Sequence, residues 1–285
     1  MPSRGNAKAF ASARPRGSPA RPRPSRNHRS FRSAGRAPDK AKRLVLVWLD
    51  GGPSPFETFN PVINGSRGPM GTIACPESEA VISEWLPLIS KQMKHLTLLK
   101  AVTHVEAIHD RACKLALSGP AGSGILNRDD AILLGQRSVG FGYASPKRQQ
   151  YKSNSFRDEC NSIVPLLKEG TTAIGISMGG WDTHCDNFSR IKNSLAPELD
   201  MHLSKLIIDL RQSGLWEETR LICMGEFGRS PEVNAMAGRD HWPQAGFALM
   251  GGVGIPAGAV HGRLDKWFEP SEGAVSIDQV FDWRG

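Results

Sequence analysis

Three short apolar runs in this chain each end beside glycine and a carboxylate. Arg43-Leu44-Val45-Leu46-Val47-Trp48-Leu49 runs into Asp50-Gly51-Gly52. Thr171-Thr172-Ala173-Ile174-Gly175-Ile176-Ser177 leads to Gly179-Gly180-Trp181-Asp182-Thr183-His184, and Thr219-Arg220-Leu221-Ile222-Cys223-Met224 to Gly225-Glu226. Runs of this length, apolar or β-branched almost throughout and bounded by glycine turns, predict strands buried on both faces, as in a parallel sheet. Helical patterns lie between them. Phe156 to Glu169 carries a stripe of Cys160, Ile163, Val164 and Leu167 before Gly170. Phe188 to Ser213 carries Ile191, Leu195, Leu199, Leu203, Leu206, Ile207 and Leu210 before Gly214, and glycine is a common helix stop. This alternation predicts an α/β fold with a mostly parallel central sheet and helices on both faces. Further expectations are a helix over Ile82–Met93, a strand over His95–Ala101, a helix over Val105–Leu117 and a last strand over Phe247–Met250. Residues 119–155 show no sustained period.

The formal charge of +8 over 285 residues is unevenly placed. Residues 1–43 hold 13 of the 36 Lys and Arg and one acid, Asp39, so the rest of the chain is mildly acidic. The first 42 residues, rich in Arg, Pro and Ser and poor in large apolar side chains, cannot bury enough surface to offset ordering entropy and are expected to be disordered. The ordered domain is expected over 43–285. Charge alone leaves non-specific binding to nucleic acid or an anionic membrane, or a targeting role, open for that tail; no specific nucleic acid is expected. No run is long enough to span a membrane, and no complete signal peptide is visible before Leu44. Five scattered cysteines without Cys-x-x-Cys spacing indicate neither a disulfide framework nor a zinc–thiolate motif. Cys113 and Cys223 read as core residues, and Cys185, beside His184, as the one near any chemistry.

In a parallel sheet the carboxyl ends of the strands share one edge, where ligands bind. Asp50, Asp182 and Glu226 are therefore expected to converge there, with His184 and His241 in loops on the same edge. Each acid alone is ordinary turn chemistry, bonding the amides of neighbouring glycines. Three of them together repel unless a cation neutralises them. Carboxylate and imidazole both coordinate divalent ions, so Asp50, Asp182, His184, Glu226 and His241 are candidate metal ligands. Zinc, calcium, magnesium and manganese remain open. Arg229, beyond Glu226, offers a fork of donors for an anionic oxygen. His104, His109, Asp110 and Arg111 cluster at the start of a predicted helix, whose free amides suit a phosphate or sulfate.

Four blocks carry a resemblance to a known family: Leu49-Asp50-Gly51-Gly52-Pro53-Ser54, Gly179-Gly180-Trp181-Asp182-Thr183-His184, Glu226-Phe227-Gly228-Arg229-Ser230-Pro231 and Gly238-Arg239-Asp240-His241-Trp242-Pro243. They resemble, over about 43–283, an uncharacterised sulfatase-like bacterial family abundant in planctomycetes, domain of unknown function family 1501, within the alkaline phosphatase superfamily. The resemblance implies a three-layer α/β/α sandwich with metal ions at the carboxyl ends of the strands. Asp50 and Glu226 would serve one ion, and Asp182, His184 and His241 the other. Phe227 stands where relatives carry a histidine. The superfamily's nucleophile region corresponds to Thr103 to Ala112, leaving Thr103 as the hydroxyl there, Ser54 as a weaker candidate and His104 or His109 as a ligand or acid/base; Arg229 would help hold the anion, and His109 or His241 would assist proton transfer. Relative to the family the chain is short before Gly179 and ends soon after Asp278, as expected of a truncated member. The implied activity is metal-dependent hydrolysis of sulfate or phosphate esters, small-molecule or polysaccharide; the alternative is a degenerate member that binds metal or anion without turnover. Export to the periplasm is implied by the family alone, and oligomeric state is left open.

Overall fold

The strand after which Asp50 emerges lies in the middle of the sheet, flanked on either side by the two strands that precede the other acids. The structure, a computed structural model, describes residues 41–61, 68–119, 124–135, 150–151 and 155–284. All but the last two residues of the 1–42 tail, and most of 119–155, lie outside the described residues. The main sheet has nine strands among the described residues: β1 (Arg43–Leu49), β2 (Leu96–Thr103), β3 (Ile132–Leu134), β4 (Gln150–Tyr151), β5 (Ala173–Met178), β6 (Thr219–Met224), β7 (Gly246–Gly252), β8 (Val260–His261) and β9 (Val275–Ser276). Their order is β8-β2-β7-β6-β1-β5-β3-β4, with β9 also on β2. Every pairing is parallel except those of β7 with β6 and β2. In register, Leu49 faces Met178 and Trp48 faces Met224, so the chains leave β1, β5 and β6 side by side at one edge.

Side chains alternate across the pleat, and β1 divides between two cores accordingly. Val45, Val47 and Leu49 pack with Cys160, Ile163 and Leu167 of helix α2 (Phe156–Lys168) and Leu199, Leu203, Leu206 and Leu210 of α3 (Ala196–Gln212). Leu44, Leu46 and Trp48 pack on the opposite face with Cys113, Ala116 and Leu117 of α1 (His109–Ser118) and with Val280 and Phe281. The result is the three-layer α/β/α sandwich. No helix among the described residues is long and apolar enough to cross a membrane.

Two elements differ from expectation. The helix expected over Ile82–Met93 is a strand at Val81–Ser83, paired with Thr72–Ala74, then short helices at Pro87–Ser90 and Met93–His95. Pro87 has no N–H to donate and fits only the first turn of a helix. The Asp200 carboxylate then accepts from the Leu88 and Ile89 amides, the latter at 2.7 Å. Ile82, Leu86 and Ile89 are nonetheless fully buried, so the apolar stripe is core although the element is not one helix. Helix α1 begins at His109, four residues later than expected, leaving Val105 and Ile108 exposed in the preceding loop.

The loop after β1 is bound to the loop before β7 by a buried ion pair. Arg239 donates to Glu57 Oε1 through Nη2 at 2.7 Å, and its Nη1 donates to the Ser230 and Pro231 carbonyls at 2.9 and 2.6 Å. Both side chains are fully buried, and the Asn187 amide donates to Glu57 Oε2 at 2.8 Å. Removing one partner of such a pair strands the other charge. Glu57→Ala is expected to destabilise the domain by about 3–5 kcal/mol, read as a lower urea midpoint; a midpoint within ~0.5 kcal/mol of wild type contradicts this role.

Candidate metal centre

Asp182 is placed by the close approach of two loops. A Cβ on Gly51, whose φ is +114°, would lie 2.5 Å from the Asp182 nitrogen, so only glycine lets the turn after β1 pass beneath it. A Cβ on Gly238 would meet the His184 carbonyl at 1.9 Å, which lets the loop carrying His241 lie against the one carrying His184. The two imidazoles then meet, with His184 Nε2 3.0 Å from His241 Nε2. Both nitrogens also face Asp182 Oδ1, at 3.2 Å from His184 and 3.4 Å from His241.

The proton on each ring follows from its other nitrogen. His241 Nδ1 lies 2.8 Å from the Ala107 carbonyl, which can only accept, so Nδ1–H donates and Nε2 keeps its lone pair. His184 Nδ1 likewise donates to the Asp240 carboxylate at 2.8 Å. Asp240 is itself held by the Asn234 amide at 3.2 Å. Two lone pairs and an anionic oxygen therefore converge with no proton between them. Such fixing of the far nitrogen is what orients metal-bound histidine. A tetrahedral ion with bonds of about 2.0–2.2 Å needs donor atoms roughly 3.3–3.6 Å apart, close to the separations here. The residues fit a divalent cation.

Behind this group the cluster continues inward. His109 Nδ1 lies 2.6 Å from Glu226 Oε1, and its Nε2 lies 3.6 Å from Asp182 Oδ2. Glu226 is fully buried; Oε1 also accepts from the Gly51 amide at 2.9 Å, while Oε2 has no hydrogen-bond partner. Asp50, also buried, accepts from Trp48 Nε1 at 3.1 Å. One ligand atom each from Asp50, Glu226 and Cys113 lie within 4.8 Å of one another, as do those of His109, Asp182 and His241. The structure thus brings Asp182, His184, His241 and His109 together on the outer side, and Glu226 and Asp50 on the inner side.

Four other expected participants add no ligand atom to this group. Arg229 is fully buried: Nε donates to the Gly52 carbonyl at 2.8 Å, Nη1 to the Arg239 carbonyl at 3.0 Å, and Nη2 to the Gly51 carbonyl and Asp182 Oδ1. Its donors therefore bind the loops to each other and to Asp182 and are not open to an incoming anion. His104 has both nitrogens engaged, Nε2–H donating to the Glu226 carbonyl at 2.6 Å and Nδ1 accepting from the Glu106 amide at 3.1 Å. Thr103 lies at the end of β2 opposite Ser276, and among the described residues its hydroxyl makes no hydrogen bond to the cluster. Ser54 is fully buried, its Oγ without a partner. Phe227 packs its ring on His109 and His241, with centroids 4.8 and 4.5 Å away. It is an apolar wall where the family resemblance places a histidine. Asp240 and Cys113 join the site without being expected there from sequence. Asp240 is signalled by its position beside His241, and Cys113 by its i, i+4 spacing from His109 on one helix face. Cys185 is exposed, while Cys113 is the thiol that meets the acids.

Residues 142–282 match a family described as "Protein of unknown function (DUF1501)", which is the family the four sequence blocks resemble. No curated protein matches the chain. Solved structures similar to it include the lipoteichoic acid synthase LtaP from Listeria monocytogenes, at 9% identity over 77% of this chain and 67% of that chain, TM-score 0.45. The C-terminal periplasmic domain of EcEptC from Escherichia coli, in complex with Zn, is similar at 11% identity over 75% of this chain and 74% of that chain, TM-score 0.44. The PsFucS1 sulfatase from Pseudoalteromonas sp. is similar at 12% identity over 85% of this chain and 66% of that chain, TM-score 0.47.

Electrostatics within the cluster give a pH dependence. Burial lowers the pKa of His109, but hydrogen bonds and charge from Asp182 and Glu226 outweigh it and raise it from 6.5 to about 9. A histidine with a raised folded pKa contributes stability fully below its unfolded value and loses it as pH climbs through the folded one. Metal-stripped protein is therefore expected to lose stability between pH 6.5 and about 9, followed by urea midpoints across that window. His109→Gln should flatten the slope; an unaltered slope in the variant removes His109 as its source.

Proposed function

We propose that this protein is a metal-dependent hydrolase acting on sulfate or phosphate esters. The observation that carries the reading is the convergence of His184 Nε2, His241 Nε2 and Asp182 Oδ1 within 3.0–3.4 Å, with both histidines protonated on their far nitrogens. Asp182, His184 and His241 would hold one divalent ion. When bound, such an ion supplies charge stabilisation for an anionic oxygen and activation of water at neutral pH. The ester class is supported by the sequence resemblance and by the start of α1, a ten-residue helix whose first residue, His109, belongs to the cluster; a helix N-terminus favours an anion.

The chain's own residues have definable tasks. Asp240 and the Ala107 carbonyl keep His184 and His241 in the ligating tautomer. Asp182 is held ionised: burial raises that carboxyl's pKa, but the adjacent His109 and the hydrogen bond and charge of Arg229 carry it far below the usual carboxylate range. Phe227 excludes water from the inner faces of the rings. His109 Nε2, 3.6 Å from Asp182 Oδ2, is the position from which a proton can be handed to a leaving oxygen. Small-molecule or polysaccharide anionic esters are the substrate class, and a periplasmic location suits them.

The second reading, a member that binds metal or anion without turnover, is favoured by one observation: no serine or threonine hydroxyl among the described residues hydrogen-bonds to the side chains of His109, Asp182, His184, Glu226 or His241. Metal analysis after dialysis, alongside hydrolysis of a panel of aryl and sugar sulfates and phosphates, separates the two. The expected result is bound divalent metal and turnover that falls by more than about 100-fold in Asp182→Ala, a larger loss than removing an outer partner causes. Metal or anion binding with no hydrolysis of any ester selects the second reading; metal-free wild-type protein that also binds no anion sinks both.

A further inference from the structure

Inward of the three outer ligands, the floor of the cluster holds a donor set of different chemistry. Cys113 lies on α1 one turn after His109, so both side chains leave the same helix face. That face looks toward the ends of β1 and β6, where Asp50 and Glu226 emerge. One ligand atom each from Asp50, Cys113 and Glu226 lie within 4.8 Å of one another, and all three side chains are buried. Two buried carboxylates side by side repel unless protonated or neutralised by a cation. Glu226 Oε1 is engaged by the Gly51 amide and His109, but Oε2 is fully buried and has no partner. An ionised carboxylate oxygen left in that state is costly, and here it sits beside a thiol and a second acid.

We propose that the Cys113 sulfur joins Asp50 and Glu226, the pair that the sequence resemblance assigns to one ion, as a third ligand of that inner site, and that its thiolate selects a thiophilic ion of the zinc class over magnesium or calcium. It rests on the reading of the outer group as a metal centre and adds to it a ligand and a metal preference. Zinc accepts mixed sulfur and oxygen ligands, with Zn–S about 2.3 Å and Zn–O about 2.0–2.2 Å, whereas magnesium and calcium require oxygen throughout. Coordination displaces the thiol proton to solvent and leaves sulfur bound as thiolate. Phe227, packed on His109 and His241, carries no donor atom, so the soft ligand comes from the helix instead. His109 joins the two sites, donating from Nδ1 to Glu226 while its Nε2 faces Asp182.

Cobalt(II) reports both sites without reference to turnover. The test uses the full chain carrying Cys185→Ser, because the exposed Cys185 adjoins His184 and would add a sulfur of its own. Metal-stripped protein is titrated with Co2+ and followed by near-ultraviolet sulfur-to-cobalt charge transfer and by equilibrium dialysis. Two equivalents are expected, one of them bringing a charge-transfer band. Adding Cys113→Ser should abolish the band and weaken that equivalent by more than the roughly 10–100-fold expected for loss of an outer partner. Adding Asp182→Asn instead should weaken the other equivalent and leave the band. Excess Mg2+ should not displace the band, whereas Zn2+ should. Absence of a band in the Cys185→Ser protein overturns the proposal without requiring any Cys113 variant to fold, as does a band that survives in Cys113→Ser. Should the band appear while no ester is hydrolysed, the hydrolase reading fails and the thiolate site stands.

Discussion

A single buried guanidinium lets the acidic edge of this sheet hold together. Arg229 reaches the carbonyls of Gly51 and Gly52 after β1, the carbonyl of Arg239 before His241, and the carboxylate of Asp182 after β5. It supplies positive charge where strand ends crowd negative ones, and it does so through a planar fork whose donors are directed by geometry. Glu57 and Arg239 repeat the device one layer out, fastening the same loops through a second buried pair. Buried charge is costly unless compensated. Here the compensation runs between loops distant in sequence, and the loop geometry of the site follows from it.

Around that support the cluster grades from wet to dry. Asp182, His184 and Asp240 are partly open to solvent, whereas Glu226, Asp50 and Cys113 lie within the protein. Ligands of the outer group are oxygen and imidazole with far nitrogens fixed by Asp240 and Ala107; the inner group adds sulfur. Different surroundings for two adjacent donor sets are a means of giving them different cations and different tasks.

Much of this arrangement was legible in the chain. The strand preceding Glu226 is found over the residues expected, Thr219–Met224, because a fully buried strand shows as an unbroken apolar run. Asp50, Asp182 and Glu226 could be placed on one edge because parallel strands share a direction. Local pattern misled where one residue overrode it. Pro87 broke the helix expected across Ile82–Met93, although the stripe it carried is buried. The helix expected over Val105–Leu117 starts only at His109, leaving Val105 and Ile108 exposed before it. Arg229 read as an anion-binding fork because its type and place suit that role; only its partners show that the fork is engaged within the protein.

Residue type and order determined by themselves that the fold is α/β, which strands are central, and that carboxylates follow three of them, since these depend on periodicity and on the glycines beside each acid. Tertiary structure alone decided which nitrogen of each histidine is free, that Asp240 rather than a metal-side residue orients His184, and that Cys113, a core residue as expected, also meets the acids. Those outcomes depend on distances between loops more than fifty residues apart, set by buried charge pairs and by close approaches at Gly51 and Gly238 that leave no trace in local sequence pattern.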